Sequence, residues 1–135
     1  MDVSGRPVSV LVVDDSEDLR ELLTMLIDRH APSWQVVGTA THGREAVSAA
    51  VETRPDVVLL DVAMPVMDGM QALPLIREAV PTAVVVMLSG YPVATAGPPA
   101  IKAGAHGYLE KADLFETLIP QLGRILEAVR SEPAS

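Results

Sequence analysis

The chain contains no cysteine among its 135 residues. A disulfide framework, a thiolate metal site and a cysteine nucleophile are therefore excluded. No apolar stretch reaches the roughly 18 residues that a membrane span requires, and the polar opening, residues 1–7, is unlike the apolar core of a secretory signal. We therefore expect a cytoplasmic protein with no membrane partner.

Basic residues are also scarce. Ten lysines and arginines stand against 18 aspartates and glutamates, which gives a formal net charge of −8, and no Lys/Arg-rich run offsets the acids. Because neutralisation of phosphates dominates affinity for nucleic acids, we expect no direct nucleic-acid binding by this domain. The length suits a single domain that buries one hydrophobic core.

The sequence does contain a regular alternation of apolar runs and amphipathic segments. Four short apolar runs and a looser fifth predict strands at 8–13, 34–40, 56–60, 83–88 and 107–110. Helical spacing predicts helices at 17–29, 43–54, 70–80, within 91–105, and from 114 onward. Alternation of this kind is typical of an α/β fold, here a doubly wound three-layer sandwich with a parallel sheet between two layers of helices.

Prolines fall inside three of the predicted helices. Pro74 is expected in the first turn of its helix, where a missing amide hydrogen is tolerated. Pro98 and Pro99 follow Gly97 directly, which predicts that the fourth helix is either short, starting near Pro98, or irregular. Pro120 predicts that the closing helix either kinks or starts its regular part there.

Residues suited to phosphate chemistry stand at the ends of four predicted strands: Asp14 and Asp15, Asp61, Ser89, and Lys111. Parallel strands bring their carboxyl ends to one edge of the sheet, where open α/β sheets bind ligands. Two carboxylates roughly 4 Å apart repel by about 4 kcal/mol at an effective dielectric near 20, so the three acids need a positive charge between them. Mg²⁺ with oxygen ligands meets that need, and Lys111 adds a mobile point charge.

Together these groups predict covalent phosphate chemistry. A carboxylate beside Mg²⁺ and an ammonium group can attack phosphorus and form an aspartyl phosphate. Lys111 would spread the charge of the transferred group, and the Ser89 hydroxyl would hydrogen-bond its oxygens. Singly, each residue is more often a helix cap, a turn residue or a surface charge. Their joint placement on four strand ends is what favours a functional site.

Four segments, VLVVDDSEDLR, VVLLDVAMPVMDGMQAL, VVVMLSG and AGAHGYLEK, together resemble the receiver domain of two-component response regulators, including the chemotaxis receivers. The resemblance spans about residues 8–130, with 1–7 and 131–135 as flexible tails. It implies a (βα)5 flavodoxin-like sheet with strand order 2-1-3-4-5.

The resemblance also implies a role for each acid. Asp61 would be the phosphoacceptor and one of the groups around Mg²⁺. Asp15 would bind the metal directly, while Asp14 would orient its water ligands. The backbone carbonyl of Ala63 would be a further metal ligand.

The other site residues would detect the phosphoryl group. By the same resemblance, Lys111 would contact the phosphoryl group, Ser89 would be the switch hydroxyl, and Tyr108 the switch aromatic. Phosphorylation would draw Ser89 toward the phosphate, let Tyr108 turn inward, and remodel the surface made by the fourth helix, fifth strand and fifth helix.

The implied function is a phospho-accepting switch. The chain would take a phosphoryl group from a sensor histidine kinase or phosphotransfer protein onto Asp61 and then act on a downstream protein or an output domain; a homodimer is left open. It would not be an enzyme beyond its own phosphotransfer and slow autodephosphorylation. Slow decay is expected because Ala63 and Tyr91 lack the amide or carboxylate that positions attacking water in fast-cycling receivers.

Two alternatives remain at this stage. A Mg²⁺-dependent phosphohydrolase could also work through an aspartyl phosphate, although its common form has an Asp-x-Asp motif after the first strand and here Asp14 and Asp15 are adjacent. A degenerate receiver acting only as an interaction module would not need to retain every charged position. A flavodoxin is disfavoured because no Ser/Thr/Gly-rich phosphate loop follows the first strand.

Overall fold

A five-stranded parallel sheet forms the centre of the fold in the computed structural model, which describes residues 5–131. Its strands are β1 (Val8–Val13), β2 (Trp34–Ala40), β3 (Val57–Asp61), β4 (Val84–Ser89) and β5 (Gly107–Glu110). They lie in the order β2-β1-β3-β4-β5. The predicted doubly wound architecture and strand order are confirmed, and β3 and β4 each lie one residue further along than the pattern indicated.

Five helices follow the strands in turn. They are α1 (Glu17–Asp28), α2 (Gly43–Thr53), α3 (Gly69–Ala79), α4 (Val93–Lys102) and α5 (Leu114–Ser131), and a short 3-10 turn covers Lys111–Asp113. None of the helices within residues 5–131 combines the length and apolar character that a bilayer crossing requires.

The sheet is covered on both faces, which explains why its central strands are mostly apolar along their length. Along β1, Val10 and Val12 pack with α1 and α5, whereas Leu11 and Val13 pack on the opposite side with α2 and α3. Successive strand side chains point to opposite faces, so one strand contributes to two separate clusters. The two hydrophobic layers together hold the carboxyl ends of the strands in a fixed arrangement.

The expected position of Pro74 is wrong. Helix α3 begins at Gly69, and Pro74 lies beyond its first turn. Asp68 fixes this start through a reciprocal capping box. Its carboxylate accepts a hydrogen bond from the backbone amide of Gln71 at 2.8 Å, and the Gln71 side-chain oxygen accepts one from the backbone amide of Asp68 at 3.1 Å. Burial of Leu73 beside the proline offsets the lost backbone hydrogen bond.

The fourth helix is short, with ten residues, but the expectation that it begins near Pro98 is wrong. It begins at Val93 and runs through both prolines because Gly97 and Ala100 pack one of its faces onto the protein. Helix α5 likewise runs through Pro120, and its regular part begins at Leu114. Tertiary packing therefore outweighs the local preference of proline in both helices.

Part of each predicted tail falls within the described residues. Arg6 donates a hydrogen bond to Asp56 at 3.1 Å, and Ser131 is the last residue of α5. The remainder of the predicted tails, residues 1–4 and 132–135, lies outside the described residues.

Val66 adopts a left-handed backbone conformation, with φ of 68°, and is 74% exposed. That conformation destabilises the folded state by roughly 1–2 kcal/mol when the residue is not glycine. A glycine destabilises the folded state by about 0.5–1 kcal/mol, because it makes the unfolded chain more flexible. We therefore expect Val66→Gly to raise the free energy of unfolding by about 0.5–1 kcal/mol in urea denaturation. Val66→Ala keeps the Cβ atom and should gain less; an equal gain from both variants would contradict the explanation.

Candidate functional site

The predicted site residues do meet at one edge of the sheet. Asp14 follows the end of β1, Asp61 and Ser89 are the last residues of β3 and β4, and Lys111 follows β5 directly. The strand register places Asp61 opposite Leu88 and Ser89 opposite Glu110. Parallel pairing of these strands therefore brings residues distant in sequence to one edge.

The Lys111 ammonium lies between two buried carboxylates. Its Nζ is 2.8 Å from Asp61 Oδ1 and 3.1 Å from Asp14 Oδ2. The Asp61 and Asp14 side chains are 1% and 0% exposed, whereas Lys111 retains 28% exposure. Lysine thus reaches into the site from its rim and compensates part of the negative charge there.

The turns after β1 and β3 fix the orientation of these carboxylates. Asp14 Oδ1 accepts the Ser16 amide at 2.8 Å, and Asp61 Oδ1 accepts the Ala63 amide at 3.2 Å. Each carboxylate therefore has one oxygen bound to the backbone two residues later, as in an Asx turn. The second oxygen of Asp14 contacts Lys111, whereas the second oxygen of Asp61 has no hydrogen-bond partner among the described residues.

Three carboxylates at this edge are close enough to share a cation. Asp14, Asp15 and Asp61 each offer an oxygen within 4.8 Å of the others, and Asp15 is the exposed member. Within residues 5–131, Asp61 Oδ2 is buried and accepts no hydrogen bond, and buried Asp14 Oδ2 contacts the Lys111 ammonium. Buried carboxylate oxygens without hydrogen bonds are unfavourable alone, and hard oxygen donors are the ligands that Mg²⁺ prefers. These residues therefore fit a magnesium ion.

Burial dominates the ionisation of Asp61. The pKa of Asp61 is raised from 3.8 to about 6, chiefly by burial; the hydrogen bond from Lys111 opposes this rise, and the negative charge of Asp14 adds to it. Burial lowers the pKa of Lys111, but hydrogen bonds and charges from Asp61 and Asp14 outweigh burial and leave it above the usual 10.5. At neutral pH the site thus holds a charged lysine beside Asp61, whose ionised form is disfavoured by burial.

Ser89 and Tyr108 both form hydrogen bonds with the backbone of Tyr91, in the loop after β4. The Tyr91 amide donates to Ser89 Oγ at 3.1 Å, and the Tyr108 hydroxyl donates to the Tyr91 carbonyl at 2.9 Å. Ser89 is buried, while Tyr108 is half-buried. Both residues predicted to form the switch are therefore connected to the same peptide segment.

Sequence reasoning missed two contacts near the site. Arg20 Nη1 donates to the Asp14 carbonyl at 2.8 Å, and Glu110 Oε1 accepts the Val93 amide at 2.6 Å. Arg20 stands in the first helix after the acid pair, and Glu110 directly precedes Lys111. Neither position in the sequence distinguishes these two residues from ordinary charged residues on the surface. Gly69, predicted only as part of a turn, lies so close to the Asp61 backbone that a Cβ atom there would collide with the carbonyl oxygen.

Comparison with known proteins agrees with this geometry. The protein-family model of the response regulator receiver domain matches residues 10–122. The chain belongs to this receiver family. The sequence-based recognition is confirmed, and members of this family accept phosphoryl groups from histidine kinases or phosphotransfer proteins and normally bind Mg²⁺.

One curated relative is the protein-glutamate methylesterase/protein-glutamine glutaminase of Geobacillus kaustophilus. It is 35% identical over 140 residues, which cover 96% of this chain and 39% of that protein. This chain therefore spans about two-fifths of the length of that relative. The match concerns the receiver, and the two activities in the name belong to the longer protein.

Two solved structures show the same architecture. The response regulator domain of Thermotoga maritima CheB has a TM-score of 0.81 and 35% identity, and the match covers 95% of this chain and all of that one. The CheX-CheY-BeF3-Mg²⁺ complex of Borrelia burgdorferi also has a TM-score of 0.81, with 27% identity and coverage of 96% and 93%.

The raised pKa of Asp61 predicts how stability depends on pH without metal. The folded state binds this proton more tightly than the unfolded state, so its contribution is complete below about pH 4 and is lost as pH rises through about 6. We expect Asp61→Asn to raise metal-free stability at pH 7.5 by on the order of 2 kcal/mol, with the gain shrinking toward pH 4. Chemical denaturation across this range measures it.

Asp28→Asn is a matched control, because Asp28 is exposed at the far end of α1. It should leave the pH profile unchanged. A gain for Asp61→Asn that stays constant from pH 4 to pH 7.5 would argue against an elevated pKa.

Proposed function

We propose that Asp61 of this chain accepts a phosphoryl group, with Mg²⁺, from a sensor histidine kinase or phosphotransfer protein, and that the modification switches a partner-binding surface. One observation carries the proposal. The Lys111 ammonium contacts Asp61 and Asp14 at the strand ends, while Asp61 retains a buried oxygen without a hydrogen bond in the described chain.

That geometry supports the following reaction. A carboxylate oxygen of Asp61 attacks the phosphorus of a phosphohistidine, the P–N bond breaks, and the donor imidazole leaves with the bonding electrons and takes up a proton. Lys111 then transfers its hydrogen bond from the Asp61 carboxylate to a phosphoryl oxygen. The hydroxyl of Ser89, which ends the neighbouring strand, donates a hydrogen bond to another of those oxygens.

We propose Asp14, Asp15, Asp61 and the Ala63 carbonyl as the groups that hold Mg²⁺. The ion would neutralise part of the charge of the transferred group. The three carboxylates offer oxygens within 4.8 Å of one another, which supports this assignment. The Borrelia burgdorferi complex, in which CheY occurs together with BeF3 and Mg²⁺, also supports it.

The proposed setting of the switch is cytoplasmic, with residues 8–130 as the receiver unit. The output is either a separate downstream protein or an output domain, which is consistent with the greater length of the curated relative. The surface would change through Tyr91, because its backbone is bonded to both Ser89 and Tyr108.

Incubation with acetyl phosphate and Mg²⁺ should add one phosphoryl group, detected by intact mass and mapped to Asp61. Asp61→Asn should abolish the addition because the nucleophile is gone. Chelation of Mg²⁺ should reduce the rate at least tenfold, and Asp15→Asn should act in the same direction through weaker metal binding. Labelling that is unchanged in Asp61→Asn would refute the proposed acceptor.

The same experiment addresses the alternatives. A phosphohydrolase would turn over small phosphate esters many times per molecule, whereas a phosphoacceptor gives at most one equivalent of released phosphate with each loading. A degenerate receiver would show neither labelling nor any response to beryllofluoride with Mg²⁺.

The phosphoryl group should be released slowly. Ala63 offers no side-chain amide or carboxylate to orient an attacking water, and the Tyr91 ring, 66% exposed, offers none either. We expect Ala63→Asn to accelerate decay of the phosphorylated protein severalfold, followed by intact mass after donor removal. Ala63→Val, which adds volume without a polar group, is the control. Fast decay in the unmodified protein, unaffected by Ala63→Asn, would refute this expectation.

A further inference from the structure

Helix α4 is intrinsically weak. Pro98 and Pro99 have no amide hydrogen to donate to the carbonyls of Ala94 and Thr95 one turn earlier, and Gly97 adds backbone freedom. Pro92, at the N-cap position, has no side-chain group that can cap the helix. The position of α4 therefore depends on contacts from the rest of the protein.

Two side chains of β5 supply such contacts at the start of α4. Glu110 Oε1 accepts the Val93 amide at 2.6 Å, and the Tyr108 hydroxyl donates to the Tyr91 carbonyl at 2.9 Å. Alternate residues of a strand share one side, and Tyr108 and Glu110 are both half-buried while Gly107 and Leu109 are buried. We call this pair of hydrogen bonds the β5 clamp.

The same loop is bonded to the phosphorylation site. The Tyr91 amide donates to Ser89 Oγ, so the segment from Ser89 to Val93 is held by β4 at one end and by the β5 clamp at the other. Movement of Ser89 toward a phosphoryl group on Asp61 would pull this segment away from β5. The carboxylate of Glu110 also compensates the positive end of the α4 dipole, so the clamp resists that movement.

We propose that Glu110 is a positioning residue of the switch, whose bond to the Val93 amide holds α4 in its resting position and opposes phosphorylation of Asp61. The inference rests on the proposed function of Asp61 and adds a restraint that links β5 to α4. Binding linkage is reciprocal, so a phosphoryl group that weakens this bond must itself bind more tightly when the bond is removed.

Beryllofluoride with Mg²⁺, a probe that mimics a phosphoryl group, tests the linkage. A helix cap of ordinary strength corresponds to about fivefold in an equilibrium constant. We expect Glu110→Ala to bind beryllofluoride about fivefold more tightly than the unmodified protein, measured by ¹⁹F NMR titration. Glu127→Ala, which removes an exposed glutamate near the other end of α5, should leave the affinity unchanged.

Hydrogen exchange of the α4 amides separates a switch role from a merely structural one. In the unmodified protein, beryllofluoride should accelerate exchange at the start of α4. In Glu110→Ala, exchange should already be about fivefold faster without the probe and should change little when it binds. The double variant Pro92→Asp, Glu110→Ala supplies a local cap instead, so it should restore slow exchange without restoring the response.

The outcomes separate this inference from the proposed function. If the unmodified protein neither binds beryllofluoride nor becomes phosphorylated, both fail. If it binds the probe in an Asp61-dependent manner but Glu110→Ala has unchanged or weaker affinity, the role of Glu110 alone is overturned. A double variant whose α4 exchange still responds to the probe would overturn it as well.

Discussion

The ion pair of Lys111 with two buried carboxylates is the interaction on which the site depends. Without the ammonium, Asp14 and Asp61 would leave two negative charges in a nearly solvent-free space, which is unfavourable by several kcal/mol. Even with it, burial keeps the pKa of Asp61 raised. The metal-free site thus carries negative charge that Lys111 does not fully compensate. A cation or a change in the charge of Asp61 can relieve it.

The part of the site that follows from strand ends could be predicted from the sequence. Asp61, Ser89 and Lys111 each stand at or directly after the end of an apolar run, and parallel pairing necessarily brings such ends together. The alternation of strands and helices likewise predicts a parallel sheet between two layers of helices. Apolar runs are informative here because the central strands β1, β3 and β4 are buried on both faces and are therefore mostly apolar.

Features set by tertiary packing could not be predicted in this way. The local preference of proline places Pro74 and Pro98 near helix beginnings. Packing of buried neighbours instead lets both helices begin several residues before these prolines. Glu110 reads as one more acid in an acidic chain, because its partner, the Val93 amide, is 17 residues earlier and becomes adjacent only when β5 pairs with β4. A raised pKa likewise depends on burial, which composition does not reveal.

The position of Glu110 next to Lys111 gives these observations a common consequence. At the end of β5, one residue bonds the start of α4 and the next contacts the carboxylates of Asp14 and Asp61. In the proposed switch, a backbone shift that lets Lys111 follow a phosphoryl oxygen would therefore also move Glu110, which bonds the start of α4. Because α4 carries two prolines and little helical preference of its own, a change of one hydrogen bond can alter its position. In this proposal, a change of charge at the sheet edge would thereby alter the surface of the protein.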